Sequence, residues 1–279
     1  MNANEARILT YADADQARRL VAADPVANVF VGSRIDAGVL TPIVSGTLWG
    51  WPGDAVESML HIGANMVPVA AGAGAIEAFA QVAGRRRRCR SIIGPAGMVL
   101  PLWRALGERW GRTYSLTREV RPRQSVMALS GPPRVAADPQ VRPIGMADFE
   151  SYVAASLAMY AEEVGGDPTA GGMRDSYRQH CRWMVEQGRA FGVVVRDRVV
   201  FKADRGASSG GVAQVQGVWL DPAFRGRGLS AGAVAAVAGL ILPEFPTVSL
   251  YANDYNVRAL RTYTKVGFQT VGEFATVLY

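Results

Sequence analysis

The segment Gly217-Val218-Trp219-Leu220-Asp221-Pro222-Ala223-Phe224-Arg225-Gly226-Arg227-Gly228-Leu229-Ser230 carries the residue types needed to hold a diphosphate. An apolar strand pattern ends at Leu220, Asp221-Pro222 enforces a turn, and a glycine-rich loop opens directly into an Ala-rich helical run. Gly226 and Gly228 allow backbone conformations and a close approach that a β-carbon would obstruct. The first amides of the following helix point outward without intrahelical partners, at the positive end of the helix dipole. Arg225 and Arg227 add charge-assisted donors. A diphosphate suits such a pocket, although a basic turn between a strand and a helix would use the same residues. The loop lacks the Gly-Lys-Ser/Thr of a Walker motif, and its glycines do not follow the dinucleotide spacing Gly-x-Gly-x-x-Gly.

A second run, Asn256-Val257-Arg258-Ala259-Leu260-Arg261-Thr262-Tyr263-Thr264-Lys265-Val266-Gly267-Phe268, follows a strand pattern at Ser249 to Ala252. Asn256, Ala259 and Tyr263 fall on one helical face. With both runs in this order, the chain resembles the GNAT acetyltransferase superfamily. The coenzyme A loop of that superfamily has the form Arg/Gln-x-x-Gly-x-Gly/Ala, matched by Arg225 and Gly228, with Ser230 as a small departure. Its later helix has the form Asn-x-x-Ala-x-x-x-Tyr-x-x-x-Gly-Phe, matched by Asn256, Ala259, Tyr263, Gly267 and Phe268.

The resemblance implies acetyl-coenzyme A as cosubstrate, no metal, and transfer of the acetyl group to a primary amine on a small molecule or a protein. It also implies roles. The backbone at Val218, Trp219 and Leu220 would pair with the pantetheine arm, and the amides of Arg225, Gly226, Arg227, Gly228, Leu229 and Ser230 would bind the pyrophosphate. Asn256 and Ala259 would border the cofactor. Tyr263 would protonate the departing thiolate, a task that suits a phenol beside the breaking carbon–sulfur bond; otherwise Tyr263 is a helix tyrosine packed on the sheet. Two other readings stand beside this one: a non-catalytic acyl-coenzyme A sensor or regulatory module, and an aminoacyl-transferase of the same fold.

The general base is harder to place. Many relatives carry a glutamate on the strand before the phosphate loop, where this chain has Gln214 and Gln216. Glu163 and Glu162, in the loop expected after the first helix of this half, are the foremost candidates. Asp204 and the terminal carboxylate at Tyr279 follow, and the strand pattern expects this half to lack a seventh strand.

The rest of the chain constrains the setting. At 279 residues it suits two domains. A net charge of +6 makes an acidic partner plausible, and a nucleotide cofactor, nucleic acid and an anionic membrane all fit it; charge alone does not choose among them, and nucleic acid is not the expected one. Cys89 and Cys181 are too few for a disulfide framework, which points to a cytoplasmic setting. The opening Met1-Asn2-Ala3-Asn4-Glu5-Ala6-Arg7 has no apolar signal core, and the longest apolar stretch, Leu229 to Pro243, is too short for a membrane span. No membrane partner is expected, and the oligomeric state, monomer or homodimer, is open.

Ser130-Gly131-Pro132-Pro133 opens a Pro- and Gly-rich break. The expected organisation is a first domain over 1–130, a linker over 131–140 and a catalytic domain over 141–279. After the break the order is strand, two helices, three strands, helix, strand, helix, strand, which predicts an α/β class with a mixed sheet of α+β character. The first half runs in nearly the same order, with one helix in place of two, from a strand at Arg7 to Thr10 to a strand at Ser115 to Leu129. It resembles the degenerate amino-terminal domain that precedes a GNAT domain in some bacterial proteins, so two tandem GNAT-like domains are expected. The junction Val69-Ala70-Ala71-Gly72-Ala73-Gly74 has no loop arginine and the later helix lacks the Asn-x-x-Ala-x-x-x-Tyr pattern, so no cofactor is expected there. Its expected roles are to shape the acceptor cleft or to cover the sheet edge of the second half. Arg85-Arg86-Arg87-Arg88 reads as a solvated helix end.

Overall fold

The computed structural model describes residues 5–42 and 45–279; the first four residues of the leader reading lie outside them. The first half begins with β1 (Arg7–Ile8), α1 (Ala14–Ala22) and α2 (Val29–Asp36). Three short strands follow, β2 (Thr47–Trp51), β3 (Ser58–Ile62) and β4 (Asn65–Val69), then α3 (Ala73–Ala83), β5 (Ser91–Pro95), α4 (Ala96–Trp110), the single turn α5 (Arg112–Ser115) and β6 (Glu119–Leu129). The strand expected from Ser115 therefore starts later, because the chain coils into a helical turn before it extends.

The second half contains β7 (Arg142–Pro143), α6 (Phe149–Val164), α7 (Arg174–Glu186), β8 (Ala190–Val195), β9 (Arg198–Ser209), β10 (Val212–Leu220), α8 (Leu229–Ile241), β11 (Thr247–Asn253), α9 (Val257–Val266) and β12 (Gln269–Leu278). Asp148 precedes α6 but makes no cap bond to it. Its carboxylate instead accepts from the Gly145 amide and from Arg142 at 2.7 Å.

Among the described residues twelve strands form one sheet in the order β1-β2-β3-β4-β5-β12-β6-β11-β10-β9-β8-β7. The order is the same read from either end, with a parallel pair in each half, β4 with β5 and β10 with β11. At the centre the halves exchange strands. β6 lies between β11 and β12, and β12 pairs with β5 from Phe274↔Pro95 to Leu278↔Ser91. The sheet edge left in the second half by the absence of a seventh strand is thus covered by a strand of the first, as one of the two expected roles has it, and the reverse holds for the first half. The run from 130 to 141 has no regular structure and packs on the second half, through Arg134 N–H to Val266 O and Asp138 N–H to Gly232 O.

The cores follow this exchange. Ala275 and Val277 of β12 are buried with Phe79, Leu102 and Tyr114 of the first half. Met127 and Leu129 of β6 join the core under α8 and α9. The first half also packs α2 against β9, where Gly32 lies so close to Ser209 that a β-carbon would sit 2.7 Å from its hydroxyl.

Candidate active site

Parallel pairing between β10 and β11 covers only Val212↔Thr247, Ala213↔Val248 and Gln214↔Ser249. Beyond this point the strands separate, and among the described residues the β11-facing edge of β10 from 215 to 220 has no ladder partner. A bulge accompanies the separation. The β10–β9 register shifts between Gln216 and Trp219, and Gly217 takes φ +58°. A β-carbon at Gly217 would lie 2.9 Å from Met159 Sδ and 3.0 Å from Asp204 Oδ2 and Lys202 Nζ. Glycine is required there both for the backbone sign and for space. The sequence signal of such a bulge is an isolated glycine inside a strand pattern.

At the end of β10, Asp221 turns the chain by accepting from the Ala223 amide at 2.9 Å and pairing with Arg198 at 2.9 Å. Gly226 and Gly228 have φ of +77° and +76°, and a β-carbon at either would meet no atom within 4 Å. The glycines thus serve the backbone path and leave the outer side of the loop open. No side chain caps α8, and among the described residues the amides of Gly226 through Ser230 make no hydrogen bond. A row of free donors therefore stands at the positive helix end, which suits an anion.

The two loop arginines differ. Arg227 lies over the Phe224 ring at 5.6 Å. Arg225 folds back, its Nε donating to Leu220 O at 2.8 Å and its Nη2 to Glu162 Oε2 at 2.7 Å. The other Glu162 oxygen accepts from Trp219 Nε1 at 3.1 Å. Glu162 is therefore a brace between the end of α6 and the phosphate-type loop.

On α9, Asn256 caps the helix by accepting from the Ala259 amide at 3.2 Å, a local role beside any ligand contact. Tyr263 is buried against Phe268, with ring centroids 6.0 Å apart, and its hydroxyl has no hydrogen-bond partner among the described residues. Burial, and secondarily the charge of Glu163, push this phenol above its ordinary pKa. It stays protonated through the neutral range. Tyr251 on β11 is pushed up to about 12 by the same two causes.

The carboxylates sort by environment. Glu163 is reached by solvent, yet the surrounding walls desolvate its carboxyl and raise its pKa against the pull of Lys202 and Arg121. Asp204 is buried, accepting from Tyr152 at 2.9 Å and pairing with Lys202 at 2.5 Å, so its oxygens are committed to a structural cluster. Gln214 is buried and Gln216 exposed on the face away from α8. The Tyr279 ring packs in the first half beneath Arg87 and beside Tyr114, in a different core from Tyr263. The charge of Glu163 thus acts on the Tyr263 phenol, while Tyr279 lies in the other core.

The chain matches two family models: residues 46–152 match a domain of unknown function, DUF4081, and residues 202–277 match FR47-like protein. No curated protein matches it in sequence. Among solved structures it resembles an acetyltransferase of the GNAT family from Colwellia psychrerythraea, 8% identical, with 99% of each chain covered and a TM-score of 0.58. It also resembles a GCN5-related N-acetyltransferase from Sphaerobacter thermophilus at 16% identity, TM-score 0.59, covering 98% of this chain and 94% of that one. A tandem GNAT protein from the clavulanic acid biosynthesis pathway aligns over 98% of each chain at 17% identity and TM-score 0.53. The chain has the tandem GNAT fold.

Within that fold the first half carries a gap of the same kind. Its parallel pair covers only Asn65↔Ser91 and Met66↔Ile92 before separating, as in the second half. The Ala71 amide, at the corresponding junction, points at Met98 Sδ at 3.2 Å, and Trp51 lies so near Gly74 that a β-carbon there would sit 2.9 Å from its ring. Apolar side chains thus border the junction at Ala71 and Gly74, while a β-carbon at Gly72 would meet no atom within 4 Å. This half supplies a strand and a helix to its neighbour.

Proposed function

We propose that the protein is an acetyl-coenzyme A-dependent N-acetyltransferase acting on a primary amine by direct attack. The observation that supports this most is the unpaired edge of β10 leading into an uncapped helix N-terminus, which fits an extended amide-bearing arm ending in a diphosphate. The arm pairs with the backbone of Val218, Trp219 and Leu220. The amides from Arg225 to Ser230 receive the pyrophosphate, and Asn256 and Ala259 border the cofactor. The bound cosubstrate supplies a thioester. Glu163 takes the proton of the attacking amine, Tyr263 donates one to the sulfur, and Glu162 keeps Arg225 and Trp219 in place. Units 1–130 and 141–279, joined by 131–140, divide the work, the first without a cofactor site.

Calorimetry with acetyl-coenzyme A tests the reading directly, and failure to bind would remove it. Gly228→Val, which adds a side chain where the φ is +76°, is expected to weaken binding roughly 100-fold, about 2.7 kcal/mol. Binding without thiol release across a panel of primary amines would instead assign a non-catalytic acyl-coenzyme A module.

Two kinetic outcomes separate the proposed roles. Tyr263→Phe should lower turnover roughly 100-fold with cofactor affinity nearly unchanged; equal turnover would remove the acid role. Glu163 must be ionised to accept a proton, and its pKa is raised. The rate should therefore fall, as pH is lowered, already above the ordinary glutamate range. Glu163→Gln should abolish that acid limb, and an unaltered limb would assign the proton elsewhere.

A further inference from the structure

The Glu163 carboxyl hangs on the last turn of α6, and that turn is tied to the other half of the chain. Arg121 lies on β6, the strand that the first half inserts between β11 and β12. Its pairing with β11 ends at Asn253↔Gln124, so Arg121 projects from the part of β6 that extends past that strand. Glu119 fixes the guanidinium bidentately, with Arg121 Nε to Oε1 at 2.8 Å and Nη2 to Oε2 at 2.9 Å. Nη2 also donates to the backbone carbonyl of Glu163 at 2.6 Å. A cation there meets the negative end of the α6 dipole and satisfies one of the carbonyls that every helix terminus leaves without a partner. The guanidinium fork can engage the carboxylate and the carbonyl together, which a lysine ammonium cannot do with the same geometry.

We propose that Arg121 is a positioning residue for the second half's active site: from a strand supplied by the first half, it holds the end of α6 and so fixes Glu163. This rests on the reading of Glu163 as proton acceptor. The groups that act on the Glu163 carboxyl come from every element around it. Lys202 of β9 and Arg121 of β6 pull its pKa down, Glu162 of α6 pushes it up, and Tyr251 of β11 and Tyr263 of α9 feel its charge in return. The first half would thus set both the place and the charge of a group that works in the second.

The test follows Glu163 itself, in the full chain saturated with coenzyme A. Carbon-13 NMR of labelled glutamate carboxyls gives its titration, the resonance being the one lost in Glu163→Gln. Arg121→Gln should raise the midpoint by about half a pH unit or more. It should also speed amide exchange in the last turn of α6, where Gly165 N–H donates to Ala161 O, by roughly tenfold. Arg121→Lys should restore the midpoint, because the charge returns, but not the exchange protection, because the fork does not. Unchanged midpoint and exchange in Arg121→Gln would overturn the proposal. If that variant does not fold, wild-type exchange in Arg121→Lys would overturn it. Should the midpoint shift as expected while Glu163→Gln keeps the acid limb of the rate, the positioning role stands and the proton-acceptor reading falls.

Discussion

Lys202→Met is expected to cost the protein about 3–5 kcal/mol of stability, because it leaves a buried carboxylate without its counter-ion. Lys202 is 1% exposed and Asp204 6%. The ammonium has the Asp204 carboxylate at 2.5 Å, the Met159 sulfur at 3.9 Å and the Tyr152 ring at 5.2 Å, with no water-facing side. Removing the cation alone strips Asp204 of its strongest partner while Tyr152 still donates to it. Adding Asp204→Asn to Lys202→Met should recover most of the loss, since the amide oxygen can still accept from Tyr152 and no charge remains buried. Urea denaturation of the wild type, the single variant and the double variant gives the comparison. A single-variant cost below about 1 kcal/mol would mean that water reaches the pair.

This cluster bears on the site through the bulge above it. The β-carbon that Gly217 lacks would collide with Lys202, Asp204 and Met159, so the buried pair, the glycine and the departure of β10 from β11 belong together. Residue type alone makes Asp204 a possible base. Its burial and two partners give it a structural task instead, and neither could be read from a strand pattern in which Lys202 and Asp204 look like ordinary solvent-facing residues.

What was legible in the sequence was local. The turn at Asp221-Pro222, the glycines at 226 and 228 and the helix from Val257 to Val266 depend on neighbours within a few residues, and the structure has them where their spacing placed them. The two-half order of elements came from the same short-range signals. Short helix α2 escaped because it is covered on more than one side, burying Val29, Val31, Gly32 and Ile35, so no clean polar face marks it. Glu162 and Glu163 could not be separated by sequence, since adjacent positions on a helix point in directions about 100° apart and only the tertiary neighbours decide what each meets. The Glu162 side chain finds Arg225 and Trp219, while at Glu163 it is the backbone carbonyl that accepts, from Arg121. The strand exchange was equally hidden. A strand's alternation reports which face is buried, not which strand lies beside it, and β6 and β12 are separated by most of the second half.

That exchange predicts how the chain responds to being divided. Expressed alone, residues 131–279 would lack β6, leaving β11 and β12 with open edges one strand apart, and would expose Ala275 and Val277, which are buried in the first half's core. Unpaired edges of this kind associate with other chains. The isolated piece should therefore aggregate or fail to unfold cooperatively, and residues 1–130, deprived of β12 between β5 and β6, should do the same. Co-expressed as two separate chains, the pieces should recover a soluble one-to-one complex, because each holds a strand inside the other's sheet and the segment after Gly131 is already bonded to its own half through Arg134 and Asp138. Size-exclusion chromatography and thermal unfolding decide the matter. A monomeric, cooperatively melting 131–279 would show that the second half can close its own sheet, and the first half would then be an accessory instead of a structural part of the fold that carries the site.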